Sequence, residues 1–91
     1  MPRIHIDPQF EVAYRKYIKG NRLRSNQVAK AIKLLSSNPQ HPSLNLEKLA
    51  HTQIWSVRVT KGDRIFLIWS KNQAVAILFW LGKHDSYRKY K

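Results

Sequence analysis

Residues 74–81 of this chain, AVAILFWL, are an uninterrupted apolar run, and Gly82 follows directly. The run falls far short of the roughly 20 residues that a membrane-spanning helix needs. No polar side chain is left to face water, so the segment is expected to be a central strand covered on both faces. A chain holding such a strand must supply other elements to flank and cover it.

The residues before the run supply its neighbours. From Ile54 the hydrophobic period is two: Trp55, Val57 and Val59 point one way, and Ser56, Arg58 and Thr60 the other. Lys61-Gly62-Asp63 reads as a hairpin turn, where glycine can supply a positive φ. Arg64 to Trp69 is the next strand, and Ser70-Lys71-Asn72-Gln73 joins it to the apolar run, which makes a three-stranded meander. At the other end of the chain, Arg3 to Asp7 alternates and is short enough for an edge strand. The expected sheet is therefore antiparallel, twisted and of about four strands.

Helices are expected on one face of that sheet. Asp7 can cap a helix whose first residue is Pro8, a position where the missing N–H costs nothing. Phe10, Ala13, Tyr14, Tyr17 and Ile18 then recur on one stripe, and Gly20 should end the helix. Asn21 to Ser37 repeats the pattern with Val28, Ala31, Ile32 and Leu35, and Asn38-Pro39 stops it. The outer faces of this αα-hairpin carry Arg15, Lys16, Lys19, Arg22, Arg24, Lys30 and Lys33, with Glu11 as their one acid. Such a surface is either a solvated helical face or a contact to a phosphate backbone.

Between helices and meander, Asn38 to Gln53 reads as an irregular connection with two prolines, pinned to the core by Leu44, Leu46 and Leu49. His41 and His51 lie here as loop histidines without an evident role. The four histidines stand at positions 5, 41, 51 and 84 among scattered acids, so no metal site and no cofactor is expected.

The whole is a single α+β domain spanning residues 1–91, with room for one core and one active surface. Seventeen Lys and Arg against five Asp and Glu give a formal charge of +12, which makes nucleic acid the first expected partner and an acidic protein the second. An anionic membrane is a weaker third, because the basic residues are spread out and no lipidation motif occurs. Cysteine is absent, so neither disulfides nor thiolate-bound zinc can hold the fold. The N-terminal MPRIHIDPQF has no apolar signal core, and a cytoplasmic protein without membrane association is expected.

Chemistry is concentrated at the C-terminal end. Arg58 and Arg64 flank one hairpin, and two guanidinium groups suit phosphate because each planar fork binds oxygens in pairs and stays charged. The alternative is an ordinary pair of surface arginines, partnered by Asp63. His84 follows Gly82-Lys83 at the end of the apolar strand, where the glycine is expected to release the chain from the sheet. A side chain titrating near neutrality can protonate the leaving 5′ oxygen of RNA while the ribose 2′ hydroxyl attacks the phosphate. Asp85 can orient that imidazole, and Tyr87 or Tyr90 can stack on a base. A lone histidine in a basic tail can equally be a surface residue. Two-metal nuclease chemistry lacks the carboxylates it needs, and neither a glycine-rich phosphate loop nor a GxSxG elbow is present.

The order strand, αα-hairpin, loop and meander resembles the RelE/ParE toxin superfamily, and within it the YafQ-like branch. The matching pieces are LLSSNPQHPSLNLEKL, IWSVRVTKGDRIFLIW and LGKHDSY, and the resemblance covers nearly the whole chain. It implies a RelE-like fold and a type II toxin that cleaves mRNA on the ribosome without a metal. The implied partners are the ribosome and its mRNA, together with a cognate antitoxin, and the toxin–antitoxin complex is expected on operator DNA. His84 matches the histidine of the branch's G-x-H-[SD] motif, the general acid. Arg64 matches an arginine that stabilises the phosphorane, and Arg58 a basic strand position that contacts phosphate. Tyr87 and Asp63 complete the implied catalytic set, and Lys61, Lys83, Asp85, Arg88, Lys89 and Tyr90 are the implied RNA contacts.

This chain departs from the branch at two points. Arg88 stands where an aromatic is frequent, so Tyr87 or Tyr90 must replace it. Thr60 stands near a branch histidine, which leaves the general base unassigned. The same fold also serves ParE-like toxins that bind DNA gyrase without bond chemistry, and a degenerate relative that only binds RNA or antitoxin is a further alternative.

Overall fold

The computed structural model describes residues 1–83. Asp7 caps α1 (Pro8–Ile18): its side chain accepts a hydrogen bond from the Gln9 amide at 2.8 Å, and Pro8 opens the helix. Gly20 takes φ +67°, the left-handed region where glycine carries no Cβ penalty, and so turns the chain between helices. Asn21 caps α2 (Arg22–Ser37) by accepting from the Arg24 amide at 3.0 Å. Both caps and both stops fall where the residue types place them.

Five strands form one sheet in the order β1-β5-β4-β3-β2. They are β1 (Arg3–Ile6), β2 (Glu47–Lys48), β3 (Trp55–Arg58), β4 (Asp63–Trp69) and β5 (Val75–Lys83). The α+β class, the N-terminal strand, the helical hairpin and the meander are as expected. Two details differ. β1 runs parallel to β5, so the sheet is mixed, and the connection after α2 contributes the short strand β2, antiparallel to β3. That connection also holds a single 3-10 turn, Pro42–Leu44, which His41 caps. Its Nδ1 accepts from the Ser43 amide at 3.2 Å and contacts Ser43 Oγ at 2.7 Å, so this histidine is structural rather than idle.

The core lies between the helices and one face of the sheet. Phe10, Ala13, Val28, Ala31, Leu35 and Leu44 meet Val57, Ile65, Leu67, Ala76, Leu78 and Leu81. Burying each such Leu, Ile or Phe contributes about 1.5–3 kcal/mol. β5 is the strand between β1 and β4, as the apolar run demands. A bulge explains part of that run. Phe66 pairs with Trp80 but Leu67 pairs with Leu78, which leaves Phe79 as the extra residue. Even positions Ala76 and Leu78 therefore share the core with odd position Leu81. On the other face the cover is uneven: Phe66 and Phe79 are buried, whereas Ile68 is 36% exposed. Among the described residues, no helix is long and apolar enough to cross a membrane.

Candidate functional site

The hairpin of β3 and β4 sets the geometry of the site. Arg58 pairs directly with Arg64, and Ser56 with Phe66, so these four residues present their Cβ atoms on one face, away from the helices. β2 adds Glu47 to that face, because Glu47 pairs with Ser56. Arg64 in turn pairs with Gly82 on its other side, and Asp63 pairs with Lys83. Arg58, Lys61, Asp63, Arg64 and Lys83 thus gather at one end of the sheet. Gly82 does not release the chain there, contrary to the expectation from sequence: β5 continues through it to Lys83.

Arg64 is the unusual member. Its residue is 7% exposed, and Nε and Nη1 are buried with no hydrogen-bond partner among the described residues. Among the described residues, the carboxylate of Glu47 forms a long ion pair with it, Oε1 lying 3.9 Å from Nη1, beyond hydrogen-bond reach. Ser56 Oγ on the same face is also buried and unpartnered. An arginine cannot shed its charge, so withholding solvent from this fork without supplying acceptors is unfavourable, and an anion brought to it regains that energy. Arg58 is exposed and stands at the rim, where it also borders a groove of about 180 Å³ with Gln27, Lys30 and Leu34 of α2. Two like charges paired across strands repel unless an anion sits between them.

Asp63 is engaged elsewhere. Its Oδ2 accepts from the Tyr17 hydroxyl at 2.8 Å and from Thr60 Oγ1 at 2.9 Å. Its carbonyl accepts from the amides of Val59 and Thr60, which closes the turn. Burial, and after it the hydrogen bond and negative charge of Asp63, push the Tyr17 hydroxyl up to about 12. The Arg24 guanidinium lies 4.6 Å from the Tyr17 ring centroid and donates to the Tyr17 carbonyl at 3.0 Å. This chain of contacts latches the arginine-bearing hairpin to both helices. Sequence reasoning counted Tyr17 only as part of an apolar stripe and missed Glu47 within what looked like loop. The signal for Glu47 was weak, since a two-residue strand has no period to read.

His84, Asp85, Tyr87, Arg88, Lys89 and Tyr90 lie outside the described residues. Among the described ones, no three His, Cys, Asp or Glu side chains gather into a metal-binding group.

Two helices on one face of a five-strand mixed sheet, with arginines at one end of its central hairpin, define a small α+β fold. No protein-family model matches the chain, and no curated sequence is significantly similar to it. Solved structures are similar. A YoeB/ParE toxin from Agrobacterium tumefaciens superposes with a TM-score of 0.74 at 14% identity, covering 90% of this chain and 98% of its own. The YoeB-YefM complex from Staphylococcus aureus gives 0.70 at 18% identity, covering 92% and 98%. YafQ from E. coli strain BL21(DE3) gives 0.63 at 14%, covering 92% and 94%. The chain thus has a RelE-like fold, as expected from the order of its elements.

Proposed function

We propose that this chain is the toxin of a type II toxin–antitoxin pair and an endonuclease that cuts mRNA on the ribosome. The observation that carries this reading is Arg64, a buried guanidinium with two nitrogens unpartnered among the described residues, facing the same side as Arg58. A phosphodiester supplies the acceptors this fork lacks. As the ribose 2′ hydroxyl attacks phosphorus, charge grows on the non-bridging oxygens, and Arg64 and Arg58 stabilise it. Lys61 and Lys83 hold flanking phosphates. Glu47, half-exposed beside Arg64 and bearing no hydrogen-bonded commitment among the described residues, takes the 2′ proton as general base. His84, the residue after Lys83, protonates the departing 5′ oxygen. The P–O5′ bond breaks as the O2′–P bond forms, leaving a 2′,3′-cyclic phosphate and a 5′ hydroxyl, and no metal is needed. Asp63 holds the hairpin rather than moving a proton. Asp85, Arg88, Lys89 and Tyr90 contact RNA, and Tyr87 stacks on a base.

The partner is an antitoxin with an acidic or amphipathic segment that neutralises the basic face, and the complex binds operator DNA. The fold likeness to a toxin held in a YoeB-YefM complex supports this assignment. The test is induction without antitoxin, followed by primer extension on translated and untranslated mRNA. Cuts confined to translated message are expected. Stalled replication with intact transcripts would point instead to a ParE-like gyrase inhibitor, and undiminished toxicity of Arg64→Ala and His84→Ala would remove the assigned site.

A further inference from the structure

Lys30 of α2 differs from the other cations of the helical hairpin, because it shares a groove with the arginine-bearing strands. The groove, of about 180 Å³, is lined by Lys30 and Gln27 of α2, by Ser43, and by Arg58 at the end of β3, over buried Ala31 and Leu44. Lys30 and Arg58 are exposed, Gln27 is half-buried, and no acidic residue lines the groove. Ser43 is committed to His41, its Oγ lying 2.7 Å from Nδ1. Among the described residues, no ion pair or side-chain hydrogen bond engages Lys30, Gln27 or Arg58. Of the three, the proposed cleavage step uses Arg58 alone.

We infer that this groove holds the RNA phosphate one nucleotide to the 5′ side of the cut, with Lys30 and the Gln27 amide donating to it and Arg58 shared between it and the scissile group. The inference rests on the ribonuclease reading for its ligand. Charge selects an anion, since two cations converge where no carboxylate opposes them. Size selects a single group, because the volume falls below the roughly 300–1,000 Å³ of pockets that enclose a whole small molecule. Position ties the groove to the cut: Arg58 lines it and pairs directly with Arg64, and such cross-strand neighbours stand about 4.5–5.5 Å apart at Cβ. Direction follows from the proposed chemistry. Glu47 lies in β2, beyond β3, so the 2′ hydroxyl it deprotonates lies on the β3 side of Arg64. β5, whose last residue Lys83 precedes the general acid, lies on the opposite side, where the 5′ oxygen departs. The nucleotide with the attacking hydroxyl is the one 5′ of the cut, and its own 5′ phosphate is therefore the one directed toward Arg58 and the groove.

The probes are 2′-O-methyl RNA dinucleotides with and without a 5′ phosphate, which lack the attacking hydroxyl and are not cut. Each displaces a fluorescein-labelled 2′-O-methyl oligonucleotide from the intact protein, followed by anisotropy. The 5′ phosphate should tighten binding about tenfold, as expected for hydrogen bonds to a charged group. Lys30→Gln changes one exposed side chain and should remove most of that gain, leaving the affinity for the unphosphorylated dinucleotide as it was. Lys16→Gln makes the same change of charge on exposed α1, outside the groove, and should keep the gain. Gln27→Glu, equal in size, should turn the gain into a loss. Absence of the gain overturns the inference, and so does a gain that Lys30→Gln leaves intact or that Lys16→Gln removes equally. An equal gain from a 3′ phosphate overturns the assigned direction and with it the site. A parent protein that cuts mRNA but shows no gain keeps the ribonuclease reading and loses this groove. A Lys30-dependent gain in a protein that cuts nothing does the reverse.

Discussion

On the helix side of the sheet, Val57, Ile65, Leu67 and Leu78 meet Val28, Ala31 and Leu35 as an apolar cluster. On the other side, Ser56 and Arg64 are buried with polar atoms left unpartnered among the described residues, and Glu47 stands 3.9 Å from the arginine. The same strands build both faces, so the difference is chemical. One face lowers the free energy of the folded chain, and the other offsets part of that gain by withholding solvent from a charge. A small domain can carry such a site because its core on the opposite face is complete.

The contrast between the faces can be challenged from either side. The largest effect should come from the core: Leu35→Ala removes a fully buried side chain and should cost about 2–5 kcal/mol in chemical denaturation, lowering Tm accordingly. On the other face the sign should reverse. Arg64→Met deletes a buried, poorly satisfied charge and strands nothing, because Glu47 remains 45% exposed; stability should rise by about 1–2 kcal/mol while mRNA cleavage falls at least about a hundredfold. A clear loss of stability in that variant would mean that Arg64 is structural.

Tyr17→Phe tests the latch between the faces and should cost about 1–2 kcal/mol, as for a hydrogen bond to a charged acceptor. Its pH dependence has a definite sign. The folded hydroxyl titrates near about 12 against about 10 for a free tyrosine, so the proton is held more tightly in the folded state. The latch therefore contributes fully below pH 10, and the stability gap between parent and variant should close as pH rises from about 10 to about 12. Denaturation curves for both proteins across that interval check it. Smallest of all in stability is Glu47→Gln, expected to shift unfolding by less than about 1 kcal/mol, since a half-exposed pair at this distance is worth little. In cleavage, the same change should cost about a hundredfold or more if Glu47 is the base.

Much of this architecture was legible without coordinates. Asp7, Pro8 and Asn38-Pro39 bound helices through groups only a few residues away, and the stripes of Phe10, Ala13, Val28, Ala31 and Leu35 name the faces that become core. The pairing of Arg58 with Arg64 follows from one short turn. Parity was less secure: the bulge at Phe79 moves the core from even to odd positions in β5, and nothing in an all-apolar run marks where. Within the candidate site, Glu47 was missed because β2 is too short for a period, and Tyr17 because its hydroxyl finds a partner on a distant element.

Residue order was enough to specify the elements themselves, their succession, the basic charge and the arginines on one hairpin, since each depends on neighbours within a turn or two of chain. It took the assembled sheet and helices to settle that β1 lies parallel beside β5, that Glu47 faces Arg64, and that Tyr17 reaches Asp63 across 46 positions of chain. The physical reason is range. Capping and periodicity act locally, whereas a buried charge and its acceptors are brought together by strand pairing and packing, which no stretch of residues specifies by itself.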